Sequence, residues 1–181
     1  LEGSQDAVAE VHTGSASNSE TSAGTGTFVT SATTFDDINT GSDANNVVNN
    51  DTITLTGTDH TGAAVSGTYT ITDRTTDTID GLLTQIEATF GLGASSATID
   101  ASGQIVITDN TAGDSQLGIE IITNNEGGGT LDFGTVSVTT HGYTMQVTAG
   151  QDAKVNIDGV AVSRSSNSID DVISGVTLDI S

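Results

Sequence analysis

The chain has 181 residues, 24 of them acidic and three basic, for a formal net charge of −21. Such a surface repels a phosphate backbone and anionic headgroups alike, which excludes nucleic acid and membrane as expected partners. There is no cysteine, proline or tryptophan, and aromatic residues make up 3%. Disulfide and thiol chemistry are therefore excluded, and a Thr-, Ser-, Gly- and Asn-rich chain favours strands with hydroxyl-bearing faces over an aromatic-lined ligand pocket.

No apolar run approaches the roughly 18 residues of a membrane span, and no basic-plus-apolar signal segment opens the sequence. Leu1-Glu2-Gly3-Ser4 has the character of an appended linker and is set aside. Residues 6–12 (DAVAEVH) fit a short strand or a helical turn equally, and residues 13–26 read as a mobile loop. TFVT at 27–30 is an expected strand, FDDI at 35–38 a single helical turn, and 39–50 a turn-rich border.

Residues 51–57 and 65–72 are expected strands, with apolar and polar residues alternating as on a sheet with one wet face. Residues 78–91 (TIDGLLTQIEATFG) then form the one medium helix. Ile79, Leu82, Leu83, Ile86 and Phe90 fall on one face at helical spacing. Asp77 or Thr78 can cap its start, and Gly91 can close its end in the left-handed conformation. Gly81 costs such a helix about 1 kcal/mol, so packing rather than propensity must hold it. Strands at 96–99, 104–108 and 117–123 complete a β-β-α-β-β-β unit, expected as one antiparallel sheet with the helix on its apolar face.

NNEGGG at 124–129 is the most flexible stretch by composition. A strand at 135–139 follows, then alternating strands at 143–149 and 153–157. Asp158-Gly159 is a two-residue hairpin signal, because both central positions of that turn want positive φ. NSIDDVIS at 167–174 reads as a short capped helix, and VTLDI at 176–180 as the last strand.

Two resemblances arise from these stretches. Residues 51–71, 78–91 and 101–121 together resemble the flagellin hook IN motif of flagellar axial proteins. YTMQVTAGQDAKVNIDGVAVSRSSNSIDDVISGVTLDI, residues 143–180, resembles a segment of the flagellar filament cap (hook-associated protein 2) family. The shared features are Gly150–Ala153, the strand–DG–strand hairpin over 155–162, the turn at 165–169 and Gly175–Leu178. Gly24-Thr25-Gly26-Thr27 before Phe28-Val29-Thr30 is similar to that family's entry into an inserted domain. No sustained heptads are present, so the chain resembles the β-rich head of such a protein without its coiled-coil ends.

The expected fold is mainly β with one medium and one short α-helix, in two β-rich subdomains. The resemblance and the two flexible borders imply that residues 1–34 and 140–181 form one and residues 35–139 the other, inserted into it, while the sequence alone equally permits consecutive domains. The resemblance implies a structural, non-catalytic cap at the extracellular tip of a bacterial flagellum. It implies flagellin and further copies of the chain as partners, in a ring in the full-length protein, with the fragment itself monomeric. A host surface glycan is a further partner left open. The alternatives are the outer variable domain of a flagellin and a β-sandwich surface adhesin.

No residue is nominated as catalytic, metal-ligating or cofactor-binding. His12, His60 and His141 lack any metal-binding spacing and are expected at the surface or in turns. Residues 109–114 carry oxygen donors but not the register of a calcium loop, and are expected as a solvated turn. Asp36-Asp37 and Asp170-Asp171 are adjacent only in sequence, without the sugar-binding aromatic platforms that usually accompany a glycosidase pair. There is no G-x-S-x-G elbow, and Gly127-Gly128-Gly129 lacks the GK[ST] of a phosphate loop. Asn50-Asp51-Thr52 fits a glycosylation sequon, a weak match in so Asn- and Thr-rich a chain.

Overall fold

The computed structural model describes residues 4–5, 7–20, 27–39, 47–143, 146–147 and 152–179. In chain order its strands begin β1 (Ser4–Gln5), β2 (Val11–Gly14), β3 (Ser19–Glu20), β4 (Ile38–Asn39), β5 (Thr52–Thr58) and β6 (Ala64–Thr70). The helix α1 (Ile79–Phe90) follows, then β7 (Ala97–Ile99), β8 (Ile105–Thr108), β9 (Gly118–Thr123) and β10 (Val136–Thr140). Last come β11 (Gln146–Val147), β12 (Ala153–Ile157), β13 (Val160–Arg164), β14 (Ser168–Ile169) and β15 (Leu178–Asp179).

Two compact units result, one of Leu1–Gln5 with Gln146–Ser181 and the other Asp6–Met145. The division lies elsewhere than at the expected 34/35 and 139/140. The reason is β2: expected in the outer subdomain, it pairs with β8 on one side and β10 on the other, inside the larger unit.

Among the described residues the larger unit contains two antiparallel sheets of three and four strands, β6-β5-β9 and β10-β2-β8-β7, and the two-stranded β3–β4 ladder. The expectation of one sheet is thus corrected, since the strands after the helix divide between two. Helix α1 packs against β5 and β6 of one sheet and β7 of the other. All five predicted apolar residues of its face are buried, beside Ile53 and Leu55 of β5, Ile105 and Ile107 of β8, and Ile119 and Ile121 of β9. At roughly 1.5–3 kcal/mol per fully buried aliphatic or aromatic side chain, that face is what fixes the helix.

Gly91 ends α1 with φ 67°, its N–H reaching the Glu87 carbonyl. Thr78 occupies the N-cap position without a side-chain bond. Asp77, the other predicted cap, turns instead to the Thr72 and Asp73 N–H groups. Gly81 has a packing reason: a Cβ there would stand 2.7 Å from the Tyr69 hydroxyl of β6.

Phe28 makes only an isolated bridge to Ser19, so TFVT is not a strand; Val29 is nevertheless buried in the core. Phe35 and Ile38 are fully buried, in a turn leading into β4 rather than a helical turn. The NNEGGG stretch is tied down, with Gly127 N–H on Asp51 Oδ1 at 2.8 Å and Glu126 Oε2 accepting from Thr52 N–H at 2.8 Å.

In the smaller unit three two-stranded ladders are formed, β1–β11, β12–β13 and β14–β15. The DG hairpin is present, with Asp158 at φ 51° and Gly159 at φ 85°. The predicted short helix over 167–174 is absent. Ser168 and Ile169 form β14, paired with Asp179 and Leu178 of β15, and Ile169 is buried. Three apolar residues in one would-be turn cannot repay helix nucleation, and strand pairing buries the same isoleucine. Among the described residues α1 is the only helix. Residues 144–145 and 148–149 of the expected strand at 143–149 lie outside the described residues.

Candidate functional site

The polar side chains of greatest chemical interest gather where β2 and β8 meet. The ladder continues past both strands, because Asp109 N–H donates to the Glu10 carbonyl at 2.8 Å. Glu10 and Asp109 therefore stand side by side. Alternate residues of a strand share a face, so Glu10 lies on the side of His12, which pairs with the buried Ile107. A polar patch thus closes one end of an apolar sheet face.

Both carboxylates are withdrawn from water, with side chains 7% exposed at Glu10 and 0% at Asp109. Burying an ionised carboxyl is costly unless donors surround it, and here they do. His60 Nδ1 lies 2.6 Å and Ser115 Oγ 2.7 Å from Asp109 Oδ2, and Thr111 N–H is 2.9 Å from Oδ1. A carboxylate only accepts, so the proton of the His60 imidazole sits on Nδ1. Burial pushes the Asp109 carboxyl up, but the His60, Ser115 and Thr111 hydrogen bonds outweigh it and hold the group below its ordinary value. His12 Nε2 meets Glu10 Oε1 at 2.9 Å, and His141 Nδ1 approaches Glu10 Oε2 at 3.6 Å.

All three histidines therefore sit on carboxylates, two of them on Glu10. The expectation of surface or turn histidines holds for His141, at 85% exposure, and for His60 in its turn, but not for His12 at 3%. The expectation of a solvated turn at 109–114 is likewise corrected for Asp109. The signal missed is Glu10-x-His12, the spacing that puts two side chains on one face of a strand.

This geometry braces; it does not relay protons to a nucleophile. Ser115 and His60 both end on the same Asp109 oxygen, whereas an activated serine needs the imidazole between itself and the acid. Among the described residues no group of three or more His, Asp or Glu is arranged to hold a metal ion. A cleft of about 530 Å³ runs between α1 and β7, lined by Asp80, Glu87 and Asp100 over Leu83 and Ile99. Two of its carboxylates brace backbone, Glu87 on the Ala97 N–H and Asp100 on the N–H groups of Ser102 and Gln104.

The remaining sequence candidates are separate structural ties. Asp36 pairs with Arg74 at 3.0 Å, while Asp37 accepts from Thr34. Asp171 receives both contacts of Arg164 Nε, at 3.1 and 3.0 Å, in the smaller unit. Asn50 of the sequon is exposed with φ 74°.

Comparison of the sequence with protein families finds a match, over residues 150–181, to the flagellar hook-associated protein 2 C-terminus. Comparison with curated proteins finds no match. Among solved structures, the chain is similar to the D2-D3 domains of the flagellar cap protein FliD from Escherichia coli. The identity is 18% and the TM-score 0.37, over 100% of this chain and 82% of that one. A second is FliD (HAP2) from Pseudomonas aeruginosa, at 20% identity and TM-score 0.31, over 99% and 78%. Sequence rather than backbone likeness is the informative finding: residues 150–181 are similar to the flagellar hook-associated protein 2 C-terminus.

Proposed function

We propose that the chain is a structural, non-catalytic part of a bacterial flagellar filament cap, acting outside the cell at the filament tip. The observation that carries this reading is the family match over residues 150–181, the segment holding the β12–β13 hairpin and β14. The hook IN-like pattern of residues 51–121 supports it. So does the site chemistry, in which His60 on Asp109 ties the β5–β6 turn to the residue that follows β8. Its partners are flagellin and further copies of the same protein, held by shape and placement rather than by a reactive group.

The test is deletion of residues 1–181 from the parent protein with its flanking sequence retained. Short filaments and flagellin released into the medium are expected. Filaments of normal length, together with tight binding of a host glycan by the isolated chain, would transfer the assignment to an adhesin.

A further inference from the structure

Two Asp-Gly pairs occur in the sequence, Asp80-Gly81 and Asp158-Gly159. Such a pair carries its own chemistry. The glycine nitrogen can attack the aspartyl side chain, because no Cβ shields it and the two groups are already tethered in reach of a five-membered ring. How readily this happens depends on how tightly the backbone is held, and the fold treats the two pairs oppositely.

Asp80-Gly81 lies in the first turn of α1. Asp80 N–H donates to the Ser31 carbonyl at 2.8 Å and Gly81 N–H to the Thr78 carbonyl at 3.1 Å. Swinging the Gly81 nitrogen onto Asp80 would break these bonds and disturb Ile79 and Leu82, both fully buried. Asp158-Gly159 is instead the tip of the β12–β13 hairpin. Both residues are exposed, and nothing lies within 4 Å of a Cβ added at Gly159. Neither the Asp158 carboxylate nor the Gly159 N–H has a hydrogen-bond partner among the described residues. The ladder beneath has two strands only, the least stable kind of sheet. Of the apolar residues it pairs, Val155↔Val162 and Ile157↔Val160, Val162 alone is buried. A tip so lightly held opens locally.

We propose that Asp158-Gly159 is a site of spontaneous backbone modification, at which Asp158 converts to isoaspartate in the folded chain while Asp80 is protected. With the tip open, the Gly159 nitrogen bonds to Asp158 Cγ, and the amide proton leaves with the carboxyl hydroxyl as water. Solvent water then opens the cyclic imide at one of its two carbonyls. Opening at the side-chain carbonyl restores Asp158. Opening at the main-chain carbonyl leaves the backbone running through Cβ and Cγ, with the former main-chain carbonyl as the free carboxylate. The product has one more methylene in a turn whose two-residue length sets the hairpin register. The pairs at 157↔160 and 155↔162 are lost with it, and α1 is untouched.

The experiment holds the full 181-residue chain at neutral pH in water enriched in oxygen-18, then digests it with trypsin in ordinary water. Arg74, Lys154 and Arg164 are the only basic cleavage points, so residues 155–164 (VNIDGVAVSR) come off as one peptide. The same peptide made synthetically and incubated alongside is the clock. A second chromatographic form of residues 155–164 carrying one oxygen-18 atom is expected, formed at least about tenfold faster than any label at Asp80, which needs α1 to open. Amide cross-peaks of residues 155–162 should double as the chain ages, with those of residues 79–90 unmoved. An unlabelled Asp158 in the folded chain when the free peptide is half converted overturns the proposal. Label at Asp80 arriving as fast as at Asp158 overturns it as well.

Discussion

Replacing Gly57 by Ala should be among the most damaging single-methyl changes the chain can receive. Gly57 sits in β5 at φ 152°, and a Cβ there would fall 1.9 Å from the Gly118 carbonyl oxygen and 3.2 Å from the Phe90 ring. The first neighbour is backbone of β9, paired through Gly57↔Ile119 and Thr58↔Gly118, and cannot rotate away as a side chain would. The conformation costs a residue with a Cβ about 1–3 kcal/mol. Separating the strands gives up roughly two ladder hydrogen bonds at about 1 kcal/mol each. The sum is about 3–5 kcal/mol, a large fraction of a typical domain's stability. Gly91→Ala is the control, since Gly91 also has positive φ, 67°, but nothing within 4 Å of the added Cβ; it should cost about 1–2 kcal/mol. Urea unfolding followed by circular dichroism, with equal m-values, reads both. A Gly57→Ala variant no less stable than Gly91→Ala would refute the argument that β9 closes directly over this position.

In the helix, Ile86→Ala and Leu83→Ala should each cost about 2–5 kcal/mol. Ile86 lies at the upper end because it is fully buried, whereas Leu83 borders the open cleft beside β7; equal unfolding midpoints for the two would contradict the packing described. Gly159→Val in the β12–β13 hairpin puts a β-branched residue at φ 85°. The expected loss of about 1–3 kcal/mol should appear in the hairpin's amide resonances and leave those of α1 unmoved.

What could be read in the sequence was what is encoded locally. The face of α1 follows from side chains a turn apart, and Asp158-Gly159 from the φ values of two residues. The strands β5 and β6 follow from their own alternation. What escaped depended on partners far along the chain. β2 carries only VHTG, too short and too polar to announce a central strand, and its place is set by Ile107 and Val138 opposite His12. The residues at 167–174 satisfied a helical pattern, but Leu178 offered Ile169 a strand partner. In the histidine cluster Glu10-x-His12 is a local signal, whereas His60 and Asp109 meet only through the fold.

The central position of β2 also sets the order in which the larger unit can be completed. Its neighbours β8 and β10 begin at Ile105 and Val136, so a chain emerging N-terminus first presents β2 long before anything can pair with it. Emergence from the other end leaves β8 and β10 waiting for the strand between them. Pairings of such high contact order form late and limit the folding rate. With no proline to isomerise, that topological search, rather than a peptide-bond step of tens of seconds, governs how fast the unit closes.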